Sequence, residues 1–253
     1  MIEIHTQKRA SPILRALTTG IFLLLLAAAI LLISVAAGSL SLPGLPSRKV
    51  DATAKYRMVI IDAGHGGEDG GAVGDNGVYE KDLNLDITLT LCDMLRANGV
   101  TVLLTRSEDI LLYDRNIDYR GRKKVLDQRA RLKIAQDNPD AVFVSIHMNA
   151  FPQKQYSGLQ VYYSKNNSQS SDLAKTIQST VKEVLQPDND RKIKPAGSNI
   201  YLLHEMDNVS VLIECGFLSN DAECAKLSSS AYRQQLSLAL FCAIMEHLDM
   251  SPQ

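Results

Sequence analysis

A short apolar run that leads into a glycine-rich turn constrains this chain more than any other segment. Residues 58–61 are apolar and mostly β-branched, which is typical of a strand buried at the centre of a sheet. The turn that follows places His65 between Gly64 and Gly66, and glycine permits close backbone approach and φ angles that other residues avoid. A histidine presented in this way is a candidate metal ligand or catalytic base. The alternative is a turn histidine with no chemical role.

Residues 1–38 have the composition of a membrane anchor or an export signal. Lys8, Arg9 and Arg15 precede an uncharged stretch, in which residues 17–38 form a mostly apolar run of about 22 residues, close to the ~20 that span a bilayer. The run is longer than the apolar part of a usual signal peptide, which favours a transmembrane helix over a cleaved signal. Because basic residues that flank a membrane segment tend to stay in the cytoplasm, the rest of the chain is expected outside it, either membrane-anchored or secreted.

The remainder of the chain divides into a linker and one globular domain. Residues 39–55 form the predicted linker, because they contain Pro43, Gly44 and Pro46. Residues 56–250 form the predicted domain, and a hydrophobic content of 45% is sufficient for a core of that size. The net charge of −1 gives no field that attracts nucleic acid, so no nucleic-acid partner is expected.

Strands and helices alternate along the predicted domain. The apolar patterns predict strands at residues 58–61, 101–105, 141–146, 158–163, 199–203 and 209–213, and helices at residues 81–97, 126–135, 173–185 and 231–248. This order predicts an α/β fold, a three-layer sandwich with a mostly parallel mixed central sheet and helices on both faces.

Polar side chains collect where the predicted strands and helices meet, which is where sites form in open α/β sheets. His65 and His147 each follow a strand, and Glu80 precedes the first helix of the domain, where the helix dipole favours a carboxylate. Two imidazoles and one carboxylate form a known ligand set for one Zn²⁺ ion with an open position for water. Zinc lowers the pKa of bound water toward ~7 and so supplies hydroxide at neutral pH.

A second carboxylate is needed to take the proton from the water and pass it to a leaving amine. Glu214 is the candidate, because it ends an apolar strand where a solvated glutamate is out of place. Strand alternation puts the neighbouring Cys215 on the opposite face. Asn149, Arg106 and Arg129 are predicted as substrate contacts, although the sequence does not fix their positions.

Four motifs together resemble the catalytic domain of the zinc-dependent N-acetylmuramoyl-L-alanine amidases, over about residues 57–248. They are Asp62-Ala63-Gly64-His65-Gly66-Gly67, Glu80-Lys81-Asp82-Leu83-Asn84-Leu85, Ser145-Ile146-His147-Met148-Asn149-Ala150 and Glu214-Cys215-Gly216-Phe217-Leu218-Ser219-Asn220. The resemblance implies that residues 56–250 are a zinc amidase domain, which cuts the amide between the lactyl group of N-acetylmuramic acid and L-alanine in peptidoglycan. It also implies zinc on His65, Glu80 and His147, with Glu214 as the catalytic glutamate. The chain departs from the usual pattern at Met148, where Ala or Ser is common.

An N-terminal anchor without wall-binding repeats is similar to the sporulation and germination branch, which prepares muramic-δ-lactam in the spore cortex. The resemblance therefore implies a location on the cell-wall or spore-cortex side, with a regulatory or activator protein as a further partner. Two alternatives stay open: a metallopeptidase that acts on stem peptides, and an inactive hydrolase fold that serves as a binding module.

The four cysteines do not form a metal site, since no CxxC spacing exists. Cys92 and Cys242 lie on apolar arcs of predicted helices and are expected to be buried thiols. Cys215 and Cys224 pair only if the fold brings them to disulfide geometry.

Overall fold

Six strands form one mixed sheet in the computed structural model, which describes residues 58–114, 116 and 120–250. The strands are β1 (Met58–Ala63), β2 (Thr101–Leu104), β3 (Val142–Asn149), β4 (Gln160–Tyr163), β5 (Lys194–Pro195) and β6 (Ser210–Phe217). Their order across the sheet is β2-β1-β3-β6-β4-β5. Neighbouring strands are parallel except β4 and β6, which are antiparallel. The predicted α/β fold with a mixed central sheet is confirmed.

Helices pack on both faces of this sheet. They are α1 (Glu80–Ala97), α2 (Lys123–Gln136), α3 (Gln169–Val184), α4 (Tyr201–Glu205), α5 (Asp221–Ser228) and α6 (Ser230–Met250). The larger core cluster joins one face of the strands to α1, α3 and α6, and the smaller cluster joins the other face to α2 and α4. Strand alternation explains the division, since Ile61 faces the larger cluster while Ile60 faces the smaller one.

The face that carries α2 and α4 changes from apolar to polar toward the carboxyl ends of the strands. Phe143 lies in the smaller core cluster, and two and four residues further along the same face lie Ser145 and His147. Leu212 in β6 is followed on that face by Glu214 in the same way. Parallel strands bring these carboxyl ends to one edge, so the fold gathers polar side chains where the apolar core stops.

The prediction of a strand at residues 199–203 is wrong, because the segment forms helix α4 (Tyr201–Glu205). Leu202 and Leu203 are both buried in the smaller cluster. A helical turn lets two successive side chains enter the same core, whereas a strand would point them to opposite faces. The edge of the sheet is instead formed by the short strand β5.

The sequence analysis also missed α5, although its first residue had a recognisable cap. The side chain of Asn220 accepts a hydrogen bond from the backbone N–H of Glu223, which is typical of a helix N-terminus. Cys242 is exposed on α6, so the prediction that its thiol is buried is wrong. Cys92, Cys215 and Cys224 are buried, and all four cysteines are free.

The predicted anchor at residues 1–38 and the predicted linker at 39–55 lie outside the described residues. None of the helices in the described ranges is both long enough and apolar enough to cross a bilayer.

Candidate metal centre

The backbone around His65 is held in a conformation that few side chains adopt. His65 has a φ of 61°, in the left-handed region, and its carbonyl accepts a hydrogen bond of 2.7 Å from Arg131 Nη2. The preceding Gly64 touches the imidazole of His147, since a Cβ at Gly64 would lie 2.3 Å from that ring. The glycine that precedes His65 is therefore required for the two histidines to approach each other.

The three predicted ligands converge on one point. Glu80 Oε1 lies 3.2 Å from His65 Nε2 and 3.0 Å from His147 Nδ1. The two imidazole rings are 5.0 Å apart between centroids and nearly perpendicular. One donor atom from each of the three residues lies within 4.8 Å of the others. Metal–ligand bonds of ~2.1 Å at tetrahedral angles separate ligand atoms by roughly 3.4 Å, so this spacing fits Zn²⁺.

Backbone amides hold the Glu80 carboxylate in place. Oε2 accepts a hydrogen bond of 2.8 Å from the N–H of Ala72, and Oε1 accepts one of 3.0 Å from the N–H of Met148. Gly71 allows this close fit, because a Cβ there would lie 2.5 Å from Glu80 Oε2. The unusual Met148 contributes to the site through its main chain, while its buried side chain lies in the larger core cluster.

The charges of the three ligand side chains favour a cation between them. Burial lowers the pKa of His65, but its hydrogen bonds to Asp69 and Glu80 outweigh that effect and raise the pKa to about 9. Burial raises the pKa of Glu80, yet the hydrogen bonds from His147 and His65 hold it far below its ordinary value. The site therefore keeps an ionised carboxylate that favours a proton on His65, and a metal ion bound by His65 would replace that proton.

Glu214 lies beside this centre with one oxygen unsatisfied. Glu214 in β6 pairs in register with His147 in β3, so the two side chains lie on the same face of the sheet. Oε2 is buried and has no hydrogen-bond partner among the described residues. Burial raises the pKa of Glu214 to about 7, with the two histidines opposing and Glu80 adding to the shift. Cys215 faces the larger core cluster on the other side, as predicted.

The three predicted substrate contacts occupy different places. Arg106 is 2% exposed and donates to the carbonyls of Ala63, Gly64 and Lys81 at 2.8–3.0 Å. Through these hydrogen bonds Arg106 ties the turn to α1. Arg129 is exposed on α2, and Asn149 is half-buried at the end of β3. Their contacts with substrate stay predictions.

The sequence analysis missed Arg131. It is 2% exposed and forms ion pairs with Asp62 (Nη1 to Oδ1, 2.5 Å) and Asp127 (Nε to Oδ2, 2.8 Å). Asp62 also accepts hydrogen bonds from the hydroxyls of Ser145 and Thr105. The spacing of Asp127 and Arg131, four residues apart on a helix that packs on the sheet, was the available signal.

Asp69 was missed as well. Its Oδ2 lies 2.9 Å from His65 Nδ1 and 3.3 Å from Lys124 Nζ. A carboxylate on the second nitrogen of a metal-binding histidine fixes the orientation of the ring. A cavity of about 50 Å³ lies between the two histidines and the α2 side chains, with Asp69 and Lys124 in its wall. Its volume is sufficient for water beside the centre.

Replacement of Asp62 with Asn is expected to lower the free energy of unfolding at pH 7 by about 1.5–3 kcal/mol, because the buried Arg131 loses one of its two charged partners and keeps Asp127. Burial raises the pKa of Asp62, but Arg131 and the hydroxyl of Ser145 outweigh it and hold the pKa below its ordinary value of 3.8. The stabilisation is therefore present above that value and is lost as the pH falls below it. Urea denaturation followed by circular dichroism at several pH values measures the difference.

Asp137 provides the matched control, since its partner Lys133 lies at the surface. Asp137→Asn is expected to change stability little. A difference between parent and Asp62→Asn that stays constant down to the lowest pH would contradict the role of the buried pair.

Comparison with known proteins places the chain in one family. The family model for N-acetylmuramoyl-L-alanine amidase matches residues 59–246. The germination-specific N-acetylmuramoyl-L-alanine amidase of Bacillus subtilis (strain 168) is 32% identical over 191 residues, which cover 76% of this chain and 79% of that protein.

Solved structures of amidases are also similar to this chain. The CwlD amidase from Clostridioides difficile, in complex with the GerS lipoprotein, is 40% identical with a TM-score of 0.73, over 78% of this chain and 100% of that chain. The catalytic domain of CwlV from Bacillus (Paenibacillus) polymyxa var. colistinus is 31% identical with a TM-score of 0.64, again over 78% and 100%. This chain, with its paired histidines and glutamate at the carboxyl edge of a mixed sheet, therefore belongs to the N-acetylmuramoyl-L-alanine amidase family.

Proposed function

We propose that this chain is a zinc-dependent hydrolase that cleaves the amide between the lactyl group of N-acetylmuramic acid and L-alanine in peptidoglycan. Family membership supports the activity and the substrate. The observation that carries the zinc assignment is the Glu80 carboxylate between two imidazoles, with the unsatisfied Glu214 oxygen beside them.

His65, Glu80 and His147 would hold the ion at the edge of the sheet. Zn²⁺ bound there supplies Lewis-acid chemistry, which lowers the pKa of water toward ~7 and polarises the amide carbonyl. Glu214 takes the proton from the attacking water and delivers it to the nitrogen of the leaving L-alanine. Burial raises the pKa of Glu214 above its ordinary value, in the direction that suits a group that both takes and gives a proton near neutral pH.

The biological setting is proposed from two relatives. One is named as germination-specific, and the structure of another contains a lipoprotein bound to the amidase. We infer for this chain an extracytoplasmic role at the cell wall or spore cortex, with control by a regulatory protein. An N-terminal segment that anchors the domain to the membrane fits this setting.

The products of peptidoglycan digestion test the function. Incubation with the purified full-length chain is expected to yield glycan strands with free lactyl carboxylates and stem peptides with a free N-terminal L-alanine, as identified by mass spectrometry. A chelator is expected to stop the reaction and added Zn²⁺ to restore it. Release of a C-terminal amino acid would identify a peptidase, and intact peptidoglycan would identify a binding module.

Glu214→Gln is expected to reduce turnover by about 10²–10⁴-fold, because the amide cannot carry the proton, while the zinc content stays at that of the parent. The rate of peptidoglycan digestion measures turnover, and elemental analysis measures the zinc content. Glu205→Gln is the control, since Glu205 is exposed on α4. Full activity in Glu214→Gln would assign the proton transfer to another group.

Asp69→Ala is expected to weaken zinc affinity about 10–100-fold, because the ring of His65 loses the carboxylate that orients it. Competition with a chromophoric chelator measures the affinity without reference to turnover. Glu68→Ala removes a neighbouring carboxylate that pairs with Lys123 rather than with a ligand histidine, and is expected to leave the affinity unchanged. An unchanged affinity in Asp69→Ala would show that His65 is oriented without Asp69.

A further inference from the structure

A row of polar side chains leads from the metal centre across the sheet. His147 pairs in register with Glu214 on β6, and Glu214 pairs in register with Gln160 on β4. Residues directly opposite each other on neighbouring strands point to the same face. Gln160 therefore lies on the face of the metal centre, one strand beyond Glu214, at a strand spacing of ~4.8 Å.

Arg191 ends this row. Its Nη1 donates a hydrogen bond of 3.2 Å to Gln160 Oε1, and its Nε donates one of 2.6 Å to the carbonyl of Ser157. Gln160 is 2% exposed and is fixed by a further hydrogen bond from its amide to the carbonyl of Lys192. One strand spacing plus one hydrogen bond places the guanidinium roughly 8 Å from the Glu214 carboxylate.

Two aromatic rings lie next to the Arg191 guanidinium. Its Cζ lies 4.4 Å from the ring centroid of Phe217 and 5.8 Å from that of Tyr156. Stacking on aromatic faces orients an arginine and limits the entropy that it loses when it binds a ligand. Tyr156 is 40% exposed and Phe151, which contacts it edge-on, is 51% exposed, so the cluster opens to solvent.

The guanidinium of Arg191 retains binding capacity. Two of its five N–H groups are used, and both acceptors are neutral. No carboxylate of the described residues pairs with it, and Arg191 itself is only half-buried. An oriented guanidinium with donors in reserve is complementary to a carboxylate, which it binds through parallel hydrogen bonds.

We propose that Arg191 binds a carboxylate of the stem peptide, located on the second residue after the scissile amide. The proposal rests on the amidase function above. One extended residue spans at most ~3.3–3.6 Å, so two residues reach ~7 Å from the amide, which matches the separation of Glu214 and Arg191. The peptide side of the substrate then runs over β6 and β4 toward Tyr156, and Arg191 determines specificity for a carboxylate over a carboxamide.

Two synthetic muramoyl peptides test this assignment, one with a carboxylate and one with a carboxamide at the second stem residue. The parent is expected to show a higher kcat/KM on the carboxylate substrate. Arg191→Gln is expected to raise KM on that substrate about tenfold or more and to leave the carboxamide substrate nearly unchanged. Arg191→Lys is expected to lie between, because it keeps the charge and loses the planar fork. Lys194→Gln, at an exposed position on β5, is the charge-matched control.

An equal loss on both substrates in Arg191→Gln would assign the residue a structural role and overturn the proposal. Calorimetric binding of alanyl-glutamate and alanyl-glutamine to the parent tests the same preference without turnover. If the parent cleaves neither substrate, the proposed function fails. The calorimetric comparison then still tests whether Arg191 binds the carboxylate. Equal affinity for the two peptides overturns the proposal, and a preference for alanyl-glutamate that disappears in Arg191→Gln supports it.

Discussion

The site depends on one charge buried under the carboxyl end of β1. Arg131 has almost no contact with solvent, and an isolated guanidinium in such a place would be strongly destabilising. Asp62 and Asp127 neutralise it, and the carbonyls of Ala63 and His65 accept its remaining hydrogen bonds. The same network that satisfies the arginine holds His65 in its left-handed conformation, so stability and ligand geometry are coupled.

The alternation of side chains along the strands explains why a site forms at this edge. On the face of α2 and α4, Ile60 of β1, Phe143 of β3 and Leu212 of β6 pack into the smaller core cluster. The next residues on that face are Asp62, Ser145, His147 and Glu214, and the α2 side chain that meets Asp62 is the charged Arg131. The same strand alternation therefore places core residues at one end of this face and the candidate ligands and Glu214 at the other.

The sequence was informative where function depends on residue type at a strand or helix end. His65, Glu80, His147 and Glu214 were all predicted in this way, and the structure brings them together. Arg131 and Arg191 could not be assigned, because their roles depend on partners about 70 and 30 residues away, Asp62 and Gln160, and such pairings have no local signal. The hydrogen bonds of Arg106 to the turn could not be predicted either, because the burial of an arginine depends on the fold. The short apolar run that forms much of α4 was ambiguous, because its length suits either a strand or one helical turn.

The contact between the backbone of Met148 and Glu80 has a consequence for how this site tolerates change. Every amino acid except proline offers the same N–H, so the anchoring of the carboxylate is independent of the side chain at position 148. The size of that side chain is limited by the volume available in the larger core cluster. Position 148, next to the ligand His147, can therefore change with the packing of the core without disturbing Glu80. Proline is the exception, because it lacks the N–H that holds the carboxylate.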